Sequence, residues 1–185
     1  MNNPTRERLV ELLTKLSFER RKVTLASGRE SDFFIDCKQT ILTGEGLAVA
    51  SVLIYDVLSK TFAGCEAVAG VELGGCPLAS GVSQVSTLRG YPLCGFYVRK
   101  AKKDHGTQKL VEGDKSLKPG MRIVLLEDVI TTGGSSLKAV ETLRAAGANV
   151  VGIIALVDRL EGGADAIKAA NLPLIALTTR ADFMS

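Results

Sequence analysis

Short, continuously apolar runs separated by helix-patterned segments constrain this chain's fold more than any other feature. Residues 150–157 read Val-Val-Gly-Ile-Ile-Ala-Leu-Val, without one polar side chain, and 67–71 are equally apolar. A strand that is apolar at every position must be covered on both faces, which is the pattern of parallel sheets in α/β proteins. Strands are predicted at 22–25, 32–36, 67–71, 93–98, 122–126, 150–157 and 174–177. Helices are predicted at 8–18 (Leu9, Leu12, Leu13, Leu16 inward) and 46–62 (Leu47, Ala50, Ile54, Val57, Leu58). Further helices run from about Pro77 to 88, over 135–146 with Leu137, Val140 and Leu143 inward and Gly147 as the cap, and over 164–170. Residues 99–118 are polar and carry no period. The fold class is therefore α/β, a central and mostly parallel sheet flanked by helices. Ligands on such sheets bind beyond the carboxyl ends of the strands.

Composition removes other classes. At 185 residues the chain suits one domain, 1–185, and 46% hydrophobic content with a net charge of +3 excludes disorder. The N-terminus is mixed in charge and leads into no apolar signal core. The longest largely apolar stretch, 145–157, is shorter than the ~20 residues that span a bilayer. Cys37, Cys65, Cys76 and Cys94 are scattered and His105 is the only histidine, so no zinc site is expected. Reduced thiols in a cytoplasmic protein are expected, two or three of them simply packed in the core.

The chemistry concentrates in residues 123–136, Ile-Val-Leu-Leu-Glu-Asp-Val-Ile-Thr-Thr-Gly-Gly-Ser-Ser. A buried strand ends in adjacent carboxylates, Glu127 and Asp128, and a small-residue loop leads into a helix. Backbone amides at a helix start, reached past small side chains, make a phosphate cradle. Hydroxyls of Thr131, Thr132 and Ser135 add donors. Carboxylates repel phosphate, so Glu127 and Asp128 are suited to sugar hydroxyls held beside it. A sugar carrying a terminal phosphate fits better than a nucleoside triphosphate, and neither a Walker loop nor a G-x-G-x-x-G fingerprint is present.

A second signal is Arg99-Lys100-Ala101-Lys102-Lys103-Asp104-His105-Gly106. From Arg99 to Lys109 five basic residues stand against one acid. No aromatics interleave to stack bases, which argues against a nucleic-acid partner. A compact cationic loop suits a pyrophosphate leaving group, and Gly106 would let it move as a lid. Arg159, after the strand 150–157, carries a fork of paired donors, for a surface ion pair with Asp158 or Glu161 or for a ligand. Phe33 and Phe34 lie in a strand, where core packing accounts for at least one of them.

Residues 123–136 resemble the phosphoribosyl-pyrophosphate (PRPP) motif of type I phosphoribosyltransferases. The basic loop, the stretch Ser27-Gly28-Arg29-Glu30-Ser31-Asp32-Phe33-Phe34-Ile35-Asp36 and Asp158-Arg159 resemble the orotate phosphoribosyltransferase family, in the same order, from Arg8 to about Phe183. That resemblance implies the type I phosphoribosyltransferase fold, with a small hood formed by about 1–40 and the C-terminal end. It implies PRPP contacts from Arg99, Lys100, Lys103, His105, Glu127, Asp128, Val129, Ile130, Thr131, Thr132, Gly133, Gly134 and Ser135. Catalytic roles fall on Lys103, His105 and Asp128, and orotate contacts on Phe34, Thr131 and Arg159. Mg2+ is implied through PRPP and water, with no protein metal ligand. A homodimer is implied, the loop of each subunit serving its partner's site, with no nucleic-acid or membrane partner.

The implied reaction is transfer of ribose 5-phosphate from PRPP to orotate, giving orotidine 5-phosphate and pyrophosphate in pyrimidine (UMP) synthesis. Two positions depart from well-known members, which carry lysine where this chain has Ala26 and Gly74. The Gly74-Gly75 amides and Lys102 are expected to substitute in part. A uracil or purine phosphoribosyltransferase would share the 127–135 cradle without the basic loop. A non-enzymatic PRPP-sensing regulator would lose that loop and add a DNA-binding segment. A decayed member would keep the motifs without the activity.

Overall fold

A computed structural model describes residues 4–24, 30–101 and 109–184. Helix α1 (Arg6–Leu16) is started by Thr5, whose hydroxyl accepts from the Arg8 amide at 3.2 Å. It buries Leu9, Leu12 and Leu13, while Leu16 of the predicted stripe is exposed at its end. An antiparallel hairpin follows, β1 (Phe18–Thr24) with β2 (Glu30–Ile35). Phe18, Phe33 and Phe183 stack in one cluster, with ring centroids 5.1 to 5.9 Å apart. Ion pairs from Arg6 to Asp182 (2.7 Å) and from Arg180 to Asp32 (2.6 Å) tie both chain ends to this hairpin region. A short helix α2 (Lys38–Ile41) was not expected, since four residues are too few to show a period. Helix α3 (Gly44–Thr61) is capped by the Thr43 hydroxyl.

The remaining elements alternate: β3 (Ala67–Val71), α4 (Gly75–Leu88), β4 (Cys94–Val98), β5 (Val111–Glu112), β6 (Arg122–Ile130), α5 (Gly134–Ala145), β7 (Asn149–Asp158), α6 (Gly163–Ala169) and β8 (Leu174–Thr179). They build a sheet in the order β5-β4-β3-β6-β7-β8, parallel except for the antiparallel edge strand β5. Alternate residues of the apolar strands serve opposite faces, as strand geometry requires. Val68, Val124, Leu126, Ile154 and Leu156 pack with Leu9, Ile54, Leu58 and Leu78 from α1, α3 and α4. Ala69, Ile123, Leu125, Ile153 and Ala155 pack with Val140, Leu143 and Ile167 from α5 and α6. The runs are apolar throughout because both faces are covered.

Two sequence expectations need correction. The strand expected at 122–126 continues to Ile130, because β7 pairs with it as far as Ile130 and Asp158. The polar stretch 99–118 contains β5 and a 3-10 turn at Asp114–Ser116, too short and too polar to show periodicity.

The topology creates one special place. The chain leaves β3 through α4 toward β4, and leaves β6 through α5 toward β7, so neighbouring strands β3 and β6 send their connections in opposite directions. A crevice at such a switch point is where open α/β sheets bind ligands. Close backbone approach builds it: a Cβ on Gly70 would run into the backbone of Gly75, and one on Gly75 would meet the Leu126 carbonyl. Gly70→Ala should therefore lower stability by about 1–3 kcal/mol in urea unfolding. Gly95→Ala, where an added methyl finds its nearest neighbour, the Ala79 carbonyl oxygen, at 3.4 Å, should leave it within about 0.5 kcal/mol.

Candidate active site

Pairing between β3 and β6 ends at Gly70 and Leu126, whereas β6 stays paired to β7 beyond that point. Glu127 and Asp128 thus sit on β6 just past the end of β3, held by one neighbour only. Successive strand residues point to opposite faces, and the two carboxylates do so. Glu127 turns toward α5, where the Ser136 hydroxyl donates to its Oε1 at 2.8 Å and Ser135 approaches the same atom at 3.4 Å. Asp128 turns toward the start of α4. Its Oδ1 accepts from the Val129 amide at 3.0 Å, and its carboxylate lies against Gly74 so closely that a Cβ there would collide with it. A side chain at position 74 would therefore require the Asp128 carboxylate to shift.

Burial governs the titration of both acids. Glu127 is 4% exposed, and burial pushes its carboxyl up to about 7. The Ser136 hydroxyl pulls it back, the Asp128 charge pushes it further up, and Lys100 and Ser135 pull it down. Asp128 is also raised by burial, against the pull of the Lys38 charge and of backbone hydrogen bonds. Lys38 pairs with Asp36 at 2.5 Å and so brings a cation to the Asp128 side of the crevice.

The loop after β6 is the segment expected to form a phosphate cradle. Gly133 takes a left-handed conformation (φ 80°) as the N-cap of α5, no side chain caps the helix, and its first turn holds no acid. The opening amides of a helix lack intrahelical partners and carry the positive end of its dipole. Thr131 is half-buried, and Thr132, Gly134 and Ser135 are exposed beside them. Ile130 buries its side chain in the core and Val129 packs against it, so both offer a ligand mainly backbone.

Arg159 follows β7 directly, its amide bonded to the Ile130 carbonyl at 3.0 Å, which sets it beside the start of the Thr131 loop. The side chain is 11% exposed and its Nη2 is held by the Phe33 carbonyl (3.1 Å) and Glu161 (2.9 Å). Its Nε is buried without a partner among the described residues. An unpaired buried donor calls for an acceptor. The ring near this guanidinium is that of Phe33, at 5.5 Å, whereas Phe34 lies on the other face of the hairpin, half-buried under Arg21 at 3.9 Å.

At the other side of the crevice the Lys100 amide donates to Glu72 at 2.6 Å, joining the loops after β3 and β4. Arg99 faces Glu112 at 3.6 Å. Lys103 and His105, like Ala26 and Lys102, lie outside the described residues. The structure therefore gathers Glu127, Asp128, Lys100, the 131–135 loop and Arg159 around the carboxyl ends of β3, β6 and β7. Sequence reasoning missed Ser136 and Lys38. Ser136 was findable, since it shares the inward face of α5 with Ala139, Val140 and Leu143. Lys38 carried no local signal, because only the tertiary fold brings α2 to Asp128.

The family model of the phosphoribosyl transferase domain matches residues 45–171. The fold is that of this class of transferase. A curated orotate phosphoribosyltransferase of Sorangium cellulosum is 66% identical over 97% of this chain and 93% of its own length. An orotate phosphoribosyltransferase of Mycobacterium tuberculosis H37Rv superposes with a TM-score of 0.81 at 35% identity, covering 97% of this chain and 99% of that one. A structure of the same enzyme in complex with 5-phospho-alpha-D-ribosyl 1-diphosphate matches with a TM-score of 0.78 at 33% identity, over 96% and 98% of the two chains. The chain belongs to the orotate phosphoribosyltransferase family.

The raised Glu127 carboxyl has a stability consequence. A neutral form favoured by folding means that ionisation works against the fold; the penalty begins above the ordinary value of 4.5 and is complete above about 7. Glu127→Gln should therefore raise stability at pH 8, by on the order of 2–3 kcal/mol, and far less at pH 5. Urea unfolding at the two pH values checks this.

Proposed function

We infer that the chain transfers the ribose 5-phosphate of PRPP to the ring nitrogen of orotate, giving orotidine 5-phosphate and pyrophosphate for pyrimidine nucleotide (UMP) synthesis. The observation that carries this reading is the placement of Glu127 and Asp128 between a helix start without a side-chain cap and the buried Arg159 fork, all at the β3–β6 switch point.

In this reading the α5 amides and the hydroxyls of Thr131, Thr132 and Ser135 hold the 5-phosphate, which fixes one end of the sugar. Glu127 and Asp128 accept hydrogen bonds from the ribose 2- and 3-hydroxyls. The bond from the anomeric carbon to pyrophosphate breaks largely before the bond to nitrogen forms, so positive charge develops on the sugar. Asp128 stabilises that charge. Arg99, Lys100, Lys103 and His105 take up the negative charge that gathers on the leaving pyrophosphate. Arg159 directs its open donor to the orotate carboxylate or ring oxygens, with Thr131 and the Phe33–Phe34 strand at the ring.

Mg2+ bound to PRPP would neutralise its oxyanions. The hard oxygen donors of substrate and water suit it, and the neighbouring acids are the right class to hold its water shell. We further propose a cytoplasmic homodimer in which each subunit lends its basic loop to the other's site, and a hood made by the β1–β2 hairpin and the C-terminal turn. Among the described residues no helix is long and apolar enough to cross a membrane.

The test is loss of orotate absorbance with PRPP and Mg2+, run beside uracil, adenine and hypoxanthine. Turnover of orotate alone supports the reading; turnover of another base in its place overturns it. Arg159→Lys should raise the KM for orotate at least about tenfold and leave that for PRPP near its wild-type value, because a lysine cannot present the fork. Asp128→Asn should lower kcat by about 10²-fold at saturating PRPP, and Lys103→Ala should lower it as well.

A further inference from the structure

The Ser136 side chain is fully buried on the first turn of α5, and its hydroxyl donates to Glu127 Oε1 at 2.8 Å. A serine inside a helix commonly turns its hydroxyl back to the carbonyl four residues earlier; this one reaches across to the neighbouring strand instead. Its neighbour Ser135 is exposed and makes only a longer hydrogen bond, 3.4 Å, to the same oxygen. We propose that Ser136 is a positioning residue for donor binding: its buried hydroxyl fixes the Glu127 carboxylate in the orientation and charge state that accept the ribose hydroxyls. The inference rests on the PRPP-binding role given to Glu127 above.

A carboxylate that is 4% exposed has little water to stabilise its charge. The groups facing it do not make up the loss. Asp128 on its own strand repels it, and Lys100 after β4 attracts it from a distance. The Cys76 thiol on α4 lies within its field, but burial keeps that thiol neutral. Glu72 after β3 is engaged by the Lys100 amide. The hydrogen bonds to Glu127 come from Ser136 at 2.8 Å and, more weakly, from Ser135 at 3.4 Å, so Ser136 is the stronger donor. A bond to a charged acceptor is worth enough to move its titration by about one pH unit or more. Without it Glu127 would be mainly neutral near pH 7, and a neutral carboxyl accepts a hydroxyl hydrogen bond more weakly.

The experiment measures PRPP affinity, by calorimetry and as KM, between pH 6 and 9 for the wild type, Ser136→Ala, Ser136→Cys and Ser135→Ala. Cysteine fills the serine space while donating poorly, so it separates packing from donation. In Ser136→Ala and Ser136→Cys the midpoint at which affinity rises with pH should move up by about one unit relative to wild type. Affinity should fall roughly fivefold to tenfold at pH 7 and recover to within about twofold at pH 9. The phosphate ionisations of PRPP are common to all variants and cancel in the comparison. Ser135→Ala, which removes the longer bond to the same oxygen, should move the midpoint less than either Ser136 variant. An unshifted midpoint in both Ser136 variants overturns the proposal, as does a loss that persists at pH 9 in both. Wild-type protein that fails to bind PRPP at any pH contradicts the assigned function rather than the role of Ser136.

Discussion

Parallel pairing between β3 and β6 is the constraint from which the site follows. Both strands are apolar on both faces, so both must be central, and their connecting helices must leave on opposite sides to cover the two faces. That requirement opens a crevice at their carboxyl ends. It also places Glu127 and Asp128 one residue pair beyond the last β3–β6 contact, where two acids can reach a ligand from opposite sides of one strand. The glycines at 70 and 75 complete the arrangement by letting backbone approach to distances that any side chain would forbid, and Gly74 leaves room for the Asp128 carboxylate.

The chemistry set there runs against stability. Two adjacent carboxylates are drawn out of water, and both are raised by burial. A helix start stands without the side-chain cap that α1 and α3 receive from Thr5 and Thr43. A buried arginine keeps one donor unpaired. Each of these costs the free protein something, and in the function proposed above each would be relieved by one part of a phosphorylated sugar or a planar acid. Sites organised for charge in a ligand commonly carry such costs, and the large apolar core on both sides of the sheet is what sustains them.

Much of this was legible in the sequence because the strongest signals are local. The apolar runs, the Glu-Asp pair and the Thr-Thr-Gly-Gly-Ser loop lie within single elements, and their order alone gave the sheet and the cradle. What was not legible depends on tertiary placement. The extension of β6 to Ile130 is set by a partner strand, and α2 is too short to have a period. Lys38 reaches Asp128 only through the fold, and the contact of the Asp128 carboxylate with Gly74 likewise arises only there. Phe33 and Phe34 show the same limit: strand alternation says that they face opposite ways, but only the Phe33–Arg159 contact says which one meets the arginine.

The central claim is that helix amides grip a sugar phosphate while the two acids of β6 hold its hydroxyls. A crystal structure of the protein with PRPP and Mg2+ tests it most directly. The account predicts the 5-phosphate on the backbone amides of the 131–135 loop, with the 2- and 3-hydroxyls within hydrogen-bond distance of Glu127 and Asp128. A phosphate seated elsewhere, or a sugar turned with its hydroxyls away from both acids, would contradict it.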